Sequence, residues 1–192
     1  MRVIAGEFRS RRLETPRGMA TRPTSDKLRE TLFNVLGASV AGAKFVDLYA
    51  GSGAVGIEAI SRGAEFVWFA ENAPPAVAAI RANLRALKIA GGYALEDRGA
   101  AKLLGSLGKN ARSGVNVVFL DPPYEAAEEY KRTMEFLGRH AAEMLVEDAV
   151  VIAEHARKQG LAEQFGGLKR FRVLEQGDAA LSFYERVSGI AS

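Results

Sequence analysis

Apolar residues along this chain fall into short runs separated by longer stretches of helical period. Phe45-Val-Asp-Leu-Tyr-Ala50, Phe66 to Ala70, Tyr93 to Leu95, Val115 to Leu120 and Ala149 to Glu154 are brief and rich in β-branched and aromatic residues, as buried strands are. Between them, Ile57 to Arg62 (stopped by Gly63), about Pro75 to Ile89, Ala100 to Leu107 and Glu125 to Leu145 carry apolar residues at helical spacing. An earlier helix is expected over Thr24 to Leu36, with Leu28, Leu32, Phe33, Val35 and Leu36 on one side and Thr24 or Ser25 as its cap. The end of the chain differs: Lys169 to Glu175 and Ala180 to Val187, joined by Gln176-Gly177-Asp178, predict an antiparallel hairpin. Strands alternating with helices imply right-handed crossovers. The expected fold is α/β, a doubly wound sheet, mostly parallel, closed by that C-terminal hairpin.

Met1 to Pro16 mixes β-formers with basic residues and predicts two short strands or an extended arm. Arg17 to Pro23 then reads as a linker, so residues 1–23 form a basic N-terminal arm and 24–192 the main domain. A chain of 192 residues, 48% hydrophobic, is enough for one core of this kind. The net charge is only +3, but it is unevenly placed. Through Leu32 there are eight Lys/Arg against four acids, and beyond it 18 against 19. The basicity therefore belongs to the arm, as in a protein that grips a phosphate backbone without a uniformly basic surface. Cysteine is absent, which excludes disulfides and thiolate chemistry. His140 and His155 are the only histidines, so no metal site is expected. Without a long apolar run or a signal-like start, the expectation is a cytoplasmic protein with no membrane attachment.

Two stretches carry candidate chemistry. Gly51-Ser-Gly-Ala-Val-Gly56, between a strand and a helix, exposes backbone N–H groups and admits a flat or charged ligand close to the main chain. Its G-x-G-x-x-G spacing, with Glu71 about 20 residues on, also fits a dinucleotide site. Asp47, inside the preceding strand, argues the other way, because it would repel a pyrophosphate and attract the cationic groups of S-adenosylmethionine. Asp47, Glu71, Asp97 and Asp121 each fall at or near the carboxyl end of a successive strand, where open α/β sheets bind ligands.

The second stretch, Asp121-Pro122-Pro123-Tyr124, is the most specific. Two prolines fix the backbone and remove two donors, so a rigid turn aims the Pro122 carbonyl. A carboxylate and an aromatic ring stand beside it. This set suits a planar nucleobase held by its exocyclic amine: Asp121 and the Pro122 carbonyl accept the amino hydrogens, and Tyr124 stacks on the flipped base. A nicotinamide enzyme has no use for such a turn, and S-adenosylmethionine becomes the expected cofactor.

These residues resemble a known family. Asp-Pro-Pro-Tyr with Asp-x-x-x-Gly-x-Gly looks like the Rossmann-like class I amino-methyltransferases of nucleic acids. Ile4-Ala-Gly6, Arg11-Arg-Leu13, Arg22-Pro-Thr24, Asp26, Arg29-Glu30, Phe33-Asn34, Gly51-Ser-Gly53, Glu58-Ala59, Ser61-Arg62-Gly63, Asn83 and Asp121 to Tyr124 together are similar to the RsmD-type 16S rRNA (guanine-N2)-methyltransferases. The resemblance implies methyl transfer to the 2-amino group of a guanine in 16S rRNA, within a partly or fully assembled small subunit, by a monomer. Carried over by position, Asp47, Ala50, Gly51, Ser52 and Gly53 would line the methionine part of the cofactor. Glu71 would bond the ribose hydroxyls, and Asp97 the adenine amine. Arg11, Arg12 and Arg22 would hold rRNA, with Pro123 against the substrate base. One departure stands out: the family often carries Asp two residues after the ribose acid, where this chain has Ala73 followed by Pro74-Pro75. Two rival readings are an adenine-amine methyltransferase of DNA or RNA, and a non-catalytic ribosome-assembly protein that only binds RNA.

Overall fold

The computed structural model describes residues 1–16, 25–109, 113–123 and 125–187. Arg22 and Tyr124, named above, lie outside the described residues, as do the whole Arg17 to Pro23 linker and Thr24. In chain order the elements are α1 (Asp26–Leu36), a 3-10 turn (Gly37–Val40), β1 (Lys44–Leu48), α2 (Ala54–Ser61), β2 (Phe66–Ala70), α3 (Pro74–Ala86), β3 (Tyr93–Glu96) and α4 (Ala100–Gly108). β4 (Val115–Leu120), α5 (Ala127–Arg139), α6 (Ala141–Met144), β5 (Leu145–Ala156), β6 (Gln164–Phe165), β7 (Leu168–Gln176) and β8 (Ala179–Arg186) complete it.

One eight-stranded sheet runs in the order β3-β2-β1-β4-β5-β8-β7-β6. The first five strands are parallel and the last three antiparallel, which is the expected architecture. The strand order reverses between β1 and β4, so the loops that follow these two neighbours open beside each other. Helices cover both faces. Leu28, Leu32, Phe33, Ile57, Ile80 and Leu84 of α1 to α3 pack on one side, and Leu103, Leu107, Tyr130, Met134 and Leu137 of α4 and α5 on the other. Two covered faces explain why β1, β2 and β4 are nearly continuous apolar runs. The far edge ends in the two-residue β6, and a short edge strand offers little to another chain.

Several boundaries differ from the expectation. The helix expected over Glu125 to Leu145 is two, divided at His140, where Gly138 lies so close to β6 that an added Cβ would sit 1.9 Å from the Phe165 carbonyl oxygen. β5 starts at Leu145, four residues early. Ser25 rather than Thr24 caps α1, accepting from the Leu28 N–H at 3.1 Å.

The N-terminal segment holds one bridge, Arg2 to Arg12, instead of two strands. It is packed onto α2. Val3 and Leu13 are 2% and 6% exposed within the core, and the Glu58 carboxylate accepts from the Ile4 and Ala5 N–H groups at 2.7 and 3.0 Å. Glu58 is itself fully buried and pairs with Arg62 at 2.8 Å and with buried Arg29 at 3.7 Å. Arg29 reaches on to the Arg2 carbonyl and to Asp26. A buried carboxylate met by this many donors holds the arm in one place.

Candidate cofactor cleft and catalytic turn

The glycine turn is built by local backbone demands. Gly51 and Gly53 have φ of 54° and 78°, a region other residues enter at a cost, and Gly53 stands at the N-cap of α2. A Cβ at Gly51 would meet nothing within 4 Å, so the main chain there opens to whatever lies above it. Gly56 has a different role: a Cβ would fall 2.2 Å from the Phe69 ring, so this glycine lets α2 lie against β2. The third glycine of the motif is thus explained by packing.

Asp47 points from β1 to the same helix. It is 2% exposed and its Oδ2 accepts from the Gly56 N–H at 2.8 Å. Burial pushes its pKa up to about 7, the Gly56 bond pulls it down, and the nearby Glu71 charge raises it further. Glu71, at the end of β2, turns back to the glycine turn. Its Oε2 accepts from Gly51 N–H at 2.8 Å and its Oε1 from Asn72 and Ala73 N–H at 2.9 Å each. A carboxylate has roughly four lone-pair positions; three backbone donors leave room for one further hydroxyl. Ala73, the departure from the family pattern, offers its N–H to Glu71 and begins α3 with no side-chain cap.

A cleft of about 100 Å³ opens here, lined by Tyr49, Ala70, Glu71, Asn72, Arg98, Gly99, Ala100, Ala101 and Glu129. That is small for a ligand site, so a nucleoside-sized molecule would extend from it over the glycine turn. Asp97 is not among its lining residues: it is half exposed and paired with Arg81 at 3.1 Å. The next residue, Arg98, lines the cleft and pairs with Glu96 at 2.7 Å.

Tyr49 joins this cleft to α5. Strand alternation would put it on the α2 side with Phe45 and Asp47, but its φ of 63° turns it to the other face, where it packs with the α4 and α5 core. Its hydroxyl lies 2.7 Å from Thr133 Oγ1 and 3.2 Å from Glu129 Oε1, and burial raises its pKa. A bulky residue held at positive φ beside a glycine turn is the kind of strain found where a site must be shaped.

The proline corner follows β4. Asp121 is half-buried, Pro122 buried and Pro123 exposed. Leu48 pairs with Leu120 across β1 and β4, so the Asp121 turn and the Ala50 to Gly53 turn leave adjacent strands in the same direction. The Pro122 carbonyl has a partner that the sequence did not disclose: Tyr130 Oη, at 2.9 Å. Asn83 was also missed as a structural link. Buried on α3, its amide bonds the Glu14 backbone in both directions, at 2.7 and 3.0 Å, and the Ser52 carbonyl at 3.0 Å. It ties the arm to the glycine turn. Arg11 and Arg12 are exposed on that arm, with one Arg11 nitrogen 3.4 Å from the Ala86 carbonyl. Buried His155 bonds Ser182 Oγ at 2.8 Å and the Ala156 carbonyl, a strand-end role.

Known proteins share this sequence pattern and this fold. Residues 1–185 match the family model described as Conserved hypothetical protein 95. A Bacillus subtilis protein named as a candidate rRNA methyltransferase, YlbH, is 34% identical over 97% of this chain and 99% of its own. Ribosomal RNA small subunit methyltransferase D of Escherichia coli is 32% identical over 97% and 90%. Among solved structures, the E. coli protein yhhF, described as a candidate methyltransferase, superposes with a TM-score of 0.78 at 31% identity over 97% of both chains. With a match of this length to its model and to these relatives, the chain belongs to the Conserved hypothetical protein 95 family, the RsmD family that its motifs resemble.

Proposed function

We propose that this protein methylates the exocyclic 2-amino group of a guanine in 16S rRNA, using S-adenosylmethionine and acting on a partly or fully assembled small ribosomal subunit. The coarser reading, an rRNA methyltransferase, is supported by the relatives' names and their full-length match. The observation that carries the chemistry is the adjacency of β1 and β4, which opens the glycine turn and the Asp121–Pro123 turn side by side.

The residues fit this cofactor. Asp47 supplies a carboxylate near the glycine turn for a cationic group, the exposed main chain at Gly51 allows close approach, and Glu71 retains acceptor capacity for a ribose hydroxyl. When bound, S-adenosylmethionine supplies a methyl carbon on a cationic sulfur that leaves as a neutral thioether. The chain's own residues do the rest. Asp121 and the Pro122 carbonyl accept the two amine hydrogens, which localises the nitrogen lone pair and points it across to the glycine turn. Asp121 then takes the proton released on transfer. Tyr124 covers the base face, and Arg11, Arg12 and Arg22 hold the rRNA backbone. The protein acts as a monomer in the cytoplasm; among the described residues no helix is long and apolar enough to cross a membrane.

Nucleoside analysis of rRNA from cells lacking the protein tests the reading. One N2-methylguanine missing from 16S rRNA, and restored by the purified protein on isolated small subunits, is the expected result. A lost methyladenine would transfer the assignment to the adenine enzymes, and an unchanged methylation pattern would leave only an RNA-binding role.

A further inference from the structure

The turn at Asp121–Pro123 interrupts the ladder between β4 and β5. Leu120 pairs with Ala153, so a parallel ladder carried one step further would meet the Glu154 carbonyl with the backbone N–H of residue 122. That residue is proline and has none. The Tyr130 phenol, one turn into α5 and 1% exposed, stands in that place. Its Oη lies 2.8 Å from the Glu154 carbonyl oxygen and 2.9 Å from that of Pro122. One hydroxyl proton is shared between the carbonyl that the missing N–H would have served and the carbonyl of the proline that lacks it.

We propose that Tyr130 is a positioning residue for methyl transfer: its hydroxyl sets the direction of the Pro122 carbonyl, which in turn holds the substrate amine. The inference rests on the proposed function. A carbonyl oxygen accepts through two lone pairs, so Tyr130 at one of them leaves the other for the amine. When the amine engages, the hydroxyl proton can go wholly to the Glu154 carbonyl, and no buried donor is stranded. α5 is moreover fixed to the other half of the site. Thr133, three residues on and on the same face as Tyr130, holds the Tyr49 hydroxyl at 2.7 Å, just before the glycine turn. One helix face therefore grips both the strand end that leads to the cofactor turn and the carbonyl at the proline corner.

A purely structural Tyr130 would only donate to the Glu154 carbonyl, and two substitutions separate the roles. Tyr130→Phe keeps the ring and removes the donor; Pro122→Ala returns a backbone N–H to Glu154. For wild type, both single variants and the double variant, kcat on isolated small subunits, the Kd of S-adenosylhomocysteine and Tm are measured. Tyr130→Phe is expected to lower kcat at least tenfold with the Kd changed less than twofold. In the Pro122→Ala background it lowers kcat at least fivefold again while Tm stays where Pro122→Ala put it. The inference is overturned if Tyr130→Phe leaves kcat within twofold of wild type, or if its kcat loss disappears in the Pro122→Ala background. Should Tyr130→Phe alone not fold, the pair in the Pro122→Ala background decides. Wild-type transfer in the same assay reports separately on the proposed function.

Discussion

Replacing Asp47 with asparagine sets stability against cofactor binding on a single side chain. The carboxyl is buried and its pKa is pushed from the usual 3.8 to about 7. Because the folded value is raised, the folded state binds more protons than the unfolded chain between pH 4 and 7. The stabilisation is complete below about pH 4 and is lost as pH rises through about 7. Three pKa units at 1.36 kcal/mol each make this roughly 4 kcal/mol between the two limits. Asparagine keeps an acceptor for the Gly56 N–H and carries no charge, but it buries an amide N–H₂, which costs about 1–3 kcal/mol where unpaired. The net expectation at pH 8 is a gain of about 2 kcal/mol. For 192 residues that raises Tm by roughly 5 °C. Cofactor binding should move oppositely. With the cofactor's ammonium group beside Asp47, as proposed, binding requires the ionised form, so near pH 6 binding of S-adenosylhomocysteine should release close to one proton and its affinity should fall about tenfold per pH unit below 7. Calorimetry at pH 6 in buffers of different ionisation enthalpy, with thermal melts from pH 5 to 8, reads both effects. Asp47→Asn should release no proton, bind more weakly and melt higher at pH 8. No proton release by the wild type, or a lower Tm for the variant at pH 8, would refute the reasoning.

Other perturbations test other parts. Glu58→Ala takes from buried Arg29 the buried one of its two carboxylate partners, leaving it Asp26, and frees the Ile4 and Ala5 N–H groups; it should cost about 3–5 kcal/mol in urea unfolding and expose Arg9 to Arg12 to trypsin. Gly56→Ala drives a methyl into the Phe69 ring and should cost about 1–3 kcal/mol by the same measurement. Arg11→Glu with Arg12→Glu should weaken binding to small subunits and flatten its salt dependence by about one slope unit for each phosphate no longer neutralised, with S-adenosylhomocysteine affinity unchanged.

The parallel strands and the glycine turn were readable because two covered faces and a backbone that needs positive φ both leave marks in composition: apolar runs such as Val115 to Leu120, and glycines at 51 and 53. The registry of the acids along successive strand ends was readable for the same reason. What could not be read was which partner each polar group takes. Glu71 is engaged by three backbone N–H groups, the Pro122 carbonyl by a tyrosine eight residues on, and Asp97 by Arg81, all set by tertiary contacts without a local pattern. Nothing local singles out Tyr130: its position on α5, four residues before Met134 and seven before Leu137, is that of a core residue, and only its hydroxyl departs from that role. The arm read as a separate basic segment because its arginines dominate its composition. Val3, Leu13 and the Glu58 hydrogen bonds that dock it involve few residues.

The central claim is that the glycine turn and the proline corner form one methyl-transfer site with divided labour. The most direct measurement is transfer of labelled methyl from S-adenosylmethionine to small subunits lacking the mark, by wild type and Asp121→Ala, with the Kd of S-adenosylhomocysteine measured on both proteins. Transfer reduced at least a hundredfold with that Kd within about threefold is the result the account predicts, on the scale of losing a positioned catalytic group. An Asp121→Ala protein that transfers as wild type does, or one that loses donor binding and transfer to the same extent, would contradict it.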